Sequence, residues 1–284
     1  MLCSALANSR RRIIQMKLLR NITLAAVMAT HASSAAADVT AGIEKLETGD
    51  VQGSVKQFQE AYTNGDADGA FYIGRLFELG LGTDKDISRS AQLFAAAASK
   101  GSAKAQNRLG LMHLNGQYVL EDYTRAFELI CKAADAGDPD GQFNCGLLYK
   151  TGRGVSVDEE QAVAYWNKAA AQSHVAAINL LAQAYKDGAG VEADPEQAVK
   201  LFSHTGAAGN PLGLFELAKA YAHGSGVQKD PVKAYGYANL ATARAMEGAA
   251  DLREALRNQL NAEQLDDAQA FSREWKAKPV QPVQ

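Results

Sequence analysis

The chain has 284 residues, 47% of them hydrophobic and 21% charged, which is the composition of an ordinary globular protein. Aromatic residues make up only 7%, and this favours closely packed helices with small side chains over a large aromatic core. The formal net charge is -3. A negative balance argues against nucleic acid or an anionic membrane as the partner, because both require a basic surface.

The first 37 residues predict an export signal. Five basic residues and no acidic residue lie in this stretch: Arg10, Arg11, Arg12, Lys17 and Arg20. An apolar run from Ile22 to Thr30 follows, too short to span a membrane, and Ala35-Ala36-Ala37 forms a cleavage site. The true start is either Met1 or Met16.

We expect cleavage after Ala37 and a soluble periplasmic or secreted protein, without stable membrane insertion once the signal is removed. The whole chain has 29 basic and 32 acidic residues, so losing the five basic residues changes the net charge from -3 to -8. The argument against nucleic acid becomes stronger for the exported chain.

Residues 65–246 repeat every 36 positions in five units, without an insertion. One column of equivalent positions holds small residues, namely Gly74, Gly110, Gly146, Ala182 and Ala218. Two further columns hold Gly80, Gly116, Gly152, Gly188 and Gly224, and Asp86, Asp122, Asp158, Asp194 and Asp230. A fixed period of this length predicts a solenoid or a related array.

Each column has a physical meaning. Apolar residues recur at helical spacing, and no segment alternates with period two, so the sequence predicts helix pairs and no sheet. The second glycine column ends the first helix of each pair, because glycine tolerates the left-handed conformation found there. The aspartate column caps the second helix, and proline follows it directly at Pro195 and Pro231. The predicted fold class is all-α, an α/α superhelical solenoid of helix-turn-helix repeats.

Both ends depart from the clear repeat. Residues 38–64 keep Asp50, Ser54 and Phe58 in phase and predict a degenerate N-terminal repeat or cap. Residues 247–276 predict two C-terminal capping helices. The proline-containing tail, residues 277–284, is predicted to be disordered.

The stretch from Ala177 to Ala198 follows the pattern A-x-x-x-L-G-x-x-Y-x-x-G-x-G-V-x-x-D-x-x-x-A, with Ala182 in place of the first glycine. It resembles the Sel-one-like repeat, a relative of the tetratricopeptide repeat. Asn261–Trp275 resembles the C-terminal helix often attached to bacterial members, so the resemblance covers residues 39–276. It implies an α/α superhelix that scaffolds protein complexes, often in signalling or at the bacterial envelope. The chain departs from the pattern at His113, Tyr118 and Thr205-Gly206.

No established active-site motif stands out, and we predict no catalytic residue, no cofactor and no metal. Gly-x-Gly pairs such as Gly152-Arg153-Gly154 follow helices, so we interpret them as turns. The histidines show no metal-ligand spacing, and His113 is expected to pack against the next helix. Some cysteine-rich relatives in the family have been linked to β-lactam binding, which leaves a β-lactamase-like hydrolase as a third reading. This chain lacks cysteines at the family's positions.

The candidate binding site is a groove. In the related tetratricopeptide fold the first helix of each pair lines the concave face, and aligning on the L-G-x-x-Y core maps that face onto this chain. The candidates are Phe71, Arg75, Asn107, Leu111, Phe143, Leu147, Lys150, Asn179, Gln183, Lys186, Phe215 and Lys219. Aromatic, aliphatic and cationic side chains on one surface suit an extended or helical peptide with acidic groups. Packing between helices is the alternative for each residue taken alone.

The predicted function is binding of a partner protein or peptide rather than catalysis. One form of it is a periplasmic or secreted interaction scaffold. The alternative is a periplasmic regulator that binds and restrains a membrane sensor protein.

A disulfide between Cys131 and Cys145 is a further prediction. They are the only cysteines left after export, and the exported compartment is oxidising. Cysteine-rich members of the family bridge this helix hairpin nearer its turn, at the positions of Ala134 and Gly141 here. Two free, partly buried thiols are the alternative.

Overall fold

The computed structural model describes residues 39–283. In this range the chain forms fourteen α-helices and no strand, as the periodicity predicts. It divides into two compact units, unit 1 up to Gly141 and unit 2 from Gln142 onward. None of the described helices is long and apolar enough to cross a membrane. The predicted export signal, residues 1–37, lies outside the described residues.

Unit 1 is built from successive helices that pack against one another in chain order. They are α1 (Val39–Glu47), α2 (Val51–Thr63), α3 (Asp68–Leu79), α4 (Ile87–Ser99), α5 (Ala103–Asn115) and α6 (Tyr123–Asp135). The predicted N-terminal repeat therefore forms a helix pair, α1 and α2. Its in-phase residue Phe58 is fully buried, and Asp50 caps α2 through the backbone N–H of Gly53.

Helix α7 (Pro139–Thr151) begins at the end of unit 1 and lies mainly in unit 2. Unit 2 continues with α8 (Glu159–Ala170), α9 (Val175–Asp187), α10 (Pro195–Ala207), α11 (Pro211–His223), α12 (Pro231–Thr242), α13 (Ala249–Arg257) and α14 (Ala262–Glu274). The first helices of the five clear repeats are α3, α5, α7, α9 and α11. The second helices are α4, α6, α8, α10 and α12.

The aspartate column starts every second helix. Each of these residues accepts a hydrogen bond from the backbone N–H three positions on, and they are Asp86, Asp122, Asp158, Asp194 and Asp230. Their own backbone N–H groups donate back to the first helix of the same repeat, as Asp194 does to the Tyr185 carbonyl at 2.8 Å. One residue type therefore fixes both the start of a helix and the turn before it.

The small-residue column lets the two helices of a repeat approach each other closely, as predicted. A β-carbon at Gly110 would lie 2.5 Å from the Ile130 side chain on α6. A β-carbon at Gly74 would lie 2.7 Å from the ring of Phe94 on α4. The second glycine column ends the first helices with positive φ, for example +71° at Gly188.

The C-terminal tail differs from the predicted disorder. It has no regular secondary structure, but the backbone N–H of Lys278 donates to the Ala207 carbonyl at 2.8 Å. The N–H of Val283 donates to the Ala170 carbonyl at 3.2 Å. Val280 and Val283 pack against the core cluster of unit 2. The tail is therefore held against unit 2, because its apolar side chains and backbone donors find partners there.

Candidate protein-binding surface

The first helices carry all twelve predicted groove residues. Unit 1 holds Phe71, Arg75, Asn107 and Leu111. Unit 2 holds Phe143, Leu147, Lys150, Asn179, Gln183, Lys186, Phe215 and Lys219. Their surroundings decide which of them are available to a partner and which belong to the fold.

In unit 1, Arg75, the cationic side chain predicted for the groove, is paired with a buried carboxylate. Glu78 is only 8% exposed, and it accepts hydrogen bonds from Arg75 and from the Nε of Arg108, the latter at 2.8 Å. A buried charge is tolerated when it is paired in this way. Arg75 therefore neutralises Glu78, and the half-buried Phe71 packs near Tyr72 and Phe94 at ring distances of 5.2 and 5.6 Å.

Unit 2 repeats this arrangement with the positions of acid and base exchanged. Glu216 is 7% exposed, and it accepts hydrogen bonds from Lys186 at 2.9 Å and from Lys219 at 2.6 Å. Sequence reasoning missed both Glu216 and Arg108, because the residues at their repeat position share no chemical type. They are Tyr72, Arg108, Asn144, Leu180 and Glu216. A signal did exist: Lys186 and Glu216 are separated by 30 residues, as are Glu78 and Arg108.

The two asparagines of the groove are buried and belong to the fold. Asn179 donates to the Asn210 side chain at 3.1 Å and accepts a hydrogen bond from the Thr205 hydroxyl at 2.8 Å. Asn210 in turn caps α11 through the N–H of Gly213. Asn179 therefore orients a helix cap, and Asn107 is buried to the same degree, at 7% exposure.

The apolar candidates are half-buried. Phe143 and Leu147 pack against the core cluster of unit 2, and the Phe143 ring stacks on His174 at 4.7 Å. Phe215 lies under the ammonium group of Lys219 at 4.9 Å, and Leu111 is likewise half-buried. These side chains combine structural packing with an accessible edge.

Two polar candidates remain more accessible. Lys150 is exposed, and its ammonium group lies 5.6 Å from the ring centroid of Trp166. Gln183 is half-buried and donates to the carboxylate of Asp187 one helical turn later.

A pocket opens between α9, α10 and α11 of unit 2. Its volume is about 400 Å³, and it includes the candidates Lys186 and Lys219 in its lining. The remaining lining residues are Asp187, Pro195, Ala198, Val199, Phe202, Glu216, Ala220, His223 and Ser225. Buried apolar residues such as Phe202 form one side, and the Lys186–Glu216–Lys219 cluster supplies polar groups.

The same pocket occurs one repeat earlier but is almost closed. It is lined by Lys150, Glu159, Ala162, Trp166, Leu180, Gln183, Ala184, Asp187 and Ala189, each 36 residues before its counterpart. Its volume is only about 30 Å³. The larger indole of Trp166 stands where the open pocket has the ring of Phe202. Its Nε1 donates to the Phe143 carbonyl at 3.3 Å, which fixes the ring in place.

Three of the four histidines in residues 39–283 have local structural roles. His174 caps α9, because its Nδ1 accepts a hydrogen bond from the Ala177 N–H at 3.1 Å. The Nδ1 atoms of His113 and His223 lie 3.0 and 2.8 Å from the carbonyl oxygens of Leu120 and Lys219. Within residues 39–283, no group of three or more histidine, cysteine or acidic side chains is placed to hold a metal ion.

Both cysteines of the described range are buried. Cys131 lies in α6 and is 8% exposed, and Cys145 lies in α7 with no exposure. The disulfide between them stays a prediction.

Comparison with known proteins follows the repeat boundaries. The model of the Sel1 repeat matches five segments, residues 67–102, 103–138, 139–174, 175–210 and 211–245. A Sel1 repeat protein from Oxalobacter formigenes is similar in structure, with a TM-score of 0.70 and 24% identity over 88% of this chain and 100% of that one. No curated protein sequence is significantly similar to the chain.

A second solved structure is c5321, a protective antigen present in uropathogenic Escherichia coli strains that displays an SLR fold. Its TM-score is 0.54 at 25% identity, over 86% of this chain and 62% of that one. These folds are typical of interaction scaffolds without enzymatic activity. Since the five matched repeats make up more than half of its residues, the chain belongs to the Sel1 repeat family.

Proposed function

We propose that the chain is an exported scaffold that binds a partner protein or peptide through the first helices of its repeats. The observation that carries the proposal is the open pocket of unit 2, with its apolar side and its polar Lys186–Glu216–Lys219 cluster. Pockets that combine an apolar interior with a few fixed polar groups are common binding sites. The Sel1 repeat fold itself supports protein–protein interaction.

The charges of the pocket point to a partner chosen mainly by apolar contacts. Glu216 pairs with both lysines, and Asp187 adds a second carboxylate to the lining. The two lysines and the two carboxylates leave the lining without net charge. The prediction that the partner peptide carries acidic groups therefore loses its main support. We infer that an apolar side chain of the partner enters beside Phe202, while its polar backbone meets the charged cluster.

Capture of partners from an envelope extract tests this proposal. The purified chain serves as bait, each captured protein is identified, and its affinity is measured with purified components. Direct binding that weakens when the pocket is filled supports a scaffold acting through this site. An affinity that does not change when the pocket is filled would place the interaction elsewhere on the chain. A captured membrane sensor would favour the regulator over the general scaffold.

Export is tested separately by removing residues 1–37. We expect the truncated protein to stay in the cytoplasm, because the basic, apolar and small-residue segments of an export signal all lie in this stretch. Cell fractionation of full and truncated chains gives the readout. Recovery of the truncated protein from the periplasm would contradict the signal assignment.

A further inference from the structure

The C-terminal tail of unit 2 occupies a surface formed by the ends of two second helices. Ala170 is the last residue of α8 and Ala207 the last residue of α10, and their carbonyl oxygens accept the two tail hydrogen bonds. The last carbonyls of a helix lack partners within the helix, so they can accept hydrogen bonds from other segments. The Ala170 carbonyl also accepts one from the Ser173 N–H at 2.9 Å, and the tail uses its second lone pair. One acceptor comes from each of two successive repeats.

The tail sequence favours an extended conformation even before the tail docks on this surface. Residues 279–284 read Pro-Val-Gln-Pro-Val-Gln, a three-residue repeat. Each proline has a fixed φ and also restricts the residue before it to extended conformations. Such a segment favours the polyproline II helix, which has three residues per turn and places Val280 and Val283 on the same side. Both valines are half-buried, whereas Pro279, Gln281 and Pro282 are exposed.

The start of the tail is anchored independently. Trp275 follows α14 in an extended conformation, and the guanidinium group of Arg244 lies 4.6 Å from its ring centroid. A β-carbon at Gly209 would lie 3.3 Å from this indole, so the ring sits close to the turn after α10. The anchor sets the direction in which the tail crosses the helix ends.

We propose that this surface is a docking site for extended Pro-Val-x-Pro-Val peptides, and that the chain's own tail occupies it until a partner's peptide of the same chemistry replaces it. The tail is held by two backbone hydrogen bonds and two half-buried valines, a contact small enough to exchange. The surface accepts the tail at the carbonyl groups of Ala170 and Ala207, neither of which lines the open pocket, so it goes beyond the site of the proposed function. A partner's peptide with the same prolines is already extended before it binds, so it loses little conformational entropy on docking at this surface.

The test uses the full chain with its tail unseated by Val280→Asp and Val283→Asp. A fluorescein-labelled peptide of residues 276–284 is the probe, and binding is followed by fluorescence polarisation. We expect saturable binding with a dissociation constant at or below about 1 mM. The unmodified chain should bind at least about twofold more weakly, because its tethered tail competes at a local concentration on the order of 1 mM.

Two controls keep the outcome decisive. A peptide with serine in place of both valines keeps the prolines but should not bind. Circular dichroism must show the same helicity for the variant and the unmodified chain. No rise in polarisation up to about 1 mM of a folded variant, or equal affinity of both chains, overturns the proposal.

The oligomeric state separates this proposal from tail exchange between copies. We expect the unmodified chain to sediment as a monomer. A dimer that dissociates when the two valines are replaced would assign the surface to a second copy and overturn the assignment to a partner. Binding at the open pocket is measured with the captured partner and binding at the tail surface with the labelled peptide, so failure of one is distinguishable from failure of the other.

Discussion

Trp166 and Phe202 occupy equivalent positions in successive repeats, and the pocket beside the larger ring is the smaller of the two. The pocket beside Trp166 measures about 30 Å³ and the one beside Phe202 about 400 Å³. Both rings are nearly fully buried, at 3% and 2% exposure. One close neighbour differs between the two repeats. A β-carbon at Gly146 would overlap the Nε1 of Trp166, and the residue equivalent to Gly146 one repeat later is Ala182. An indole at position 202 therefore needs the space that a glycine at position 182 would give.

Phe202→Trp combined with Ala182→Gly should therefore fill the open pocket while keeping the fold. We expect partner affinity to fall at least tenfold, about 1.4 kcal/mol. The loss of stability should stay at about 1 kcal/mol, the cost of a glycine within a helix, because the indole gains the space that Gly146 gives to Trp166. Isothermal titration with the captured partner and thermal denaturation measure the two effects. Ala182→Gly alone is the matched control and should leave affinity intact. Unchanged affinity in a folded double variant would remove the pocket from the binding site.

Glu216→Ala should destabilise unit 2 more than the loss of either lysine. Removing the carboxylate leaves Lys186 and Lys219 close together with no shared anion, whereas removing one lysine leaves Glu216 paired with the other. We expect a loss of about 2–3 kcal/mol for Glu216→Ala, below the largest values for buried pairs because both lysines are about a third exposed. Urea denaturation of the three single variants checks the order. Glu216→Gln also removes the shared anion, so its loss of stability should lie between that of Glu216→Ala and those of the two lysine variants.

Gly226→Ala should cost more than Gly224→Ala, although both glycines have positive φ, +69° and +73°. A β-carbon at position 226 would overlap the Pro195 carbonyl, while at position 224 the nearest atom is 3.3 Å away on the Lys229 side chain. We expect about 1 kcal/mol for Gly224→Ala from backbone strain alone and about 3 kcal/mol for Gly226→Ala. Equal losses in chemical denaturation would mean that the contact with Pro195 yields easily.

Asp138→Asn should raise stability at neutral pH. Burial raises the pKa of the Asp138 carboxyl, and nearby Asp140 and Asp68 act in the same direction, while its hydrogen bond with Gly141 and the charge of Lys104 lower it. A raised pKa in the folded state means that the protonated form is favoured, so this contribution is present below the unfolded pKa and is lost as pH rises through the folded pKa. Asparagine keeps the cap without the charge, as Asn210 does at the equivalent position.

The measurement for Asp138→Asn is the midpoint of thermal unfolding as a function of pH. The variant should exceed the native chain at pH 7, and the difference should shrink as pH falls toward the ordinary range of a carboxyl group. A variant that is less stable at pH 7 would show that the charge of Asp138 supports the fold.

The predicted Cys131–Cys145 disulfide is tested on protein purified from the periplasm. We expect no free thiol after denaturation, because the two cysteines are the only ones in the exported chain. Closing a loop of about 15 residues should stabilise the protein by roughly 3 kcal/mol, so reduction should lower the unfolding midpoint. Two titratable thiols in the denatured protein would disprove the bridge.

Local features of the fold were predictable from sequence because one residue determines them. An aspartate that caps a helix or a glycine with positive φ acts within a few residues of itself, so Asp194 and Gly188 could be assigned from their columns alone. The side chains that meet across helices follow a different logic. Glu216 and Lys186 pair although 30 residues separate them, and the residue types at their repeat positions do not predict the contact.

Two other features escaped prediction for physical reasons. His174 occupies a cap position where Ser102 and Asn210 serve in other repeats, and an imidazole nitrogen replaces the usual side-chain oxygen as acceptor. The tail lacks helical or strand periodicity, and its contacts depend on the ends of helices far away in the sequence. The prolines that suggested disorder are the residues that keep the tail extended.

The strict spacing of the pockets has a consequence for how recognition can change. Lys186, Phe202 and Glu216 line the open pocket from fixed positions in a repeat that contains no insertion between residues 65 and 246. Exchanging one repeat for another therefore alters the shape of a pocket without altering the register of the rest. Specificity in such a chain is modular, and recombination between repeats, in nature or by design, could combine open and closed pockets into new selectivities.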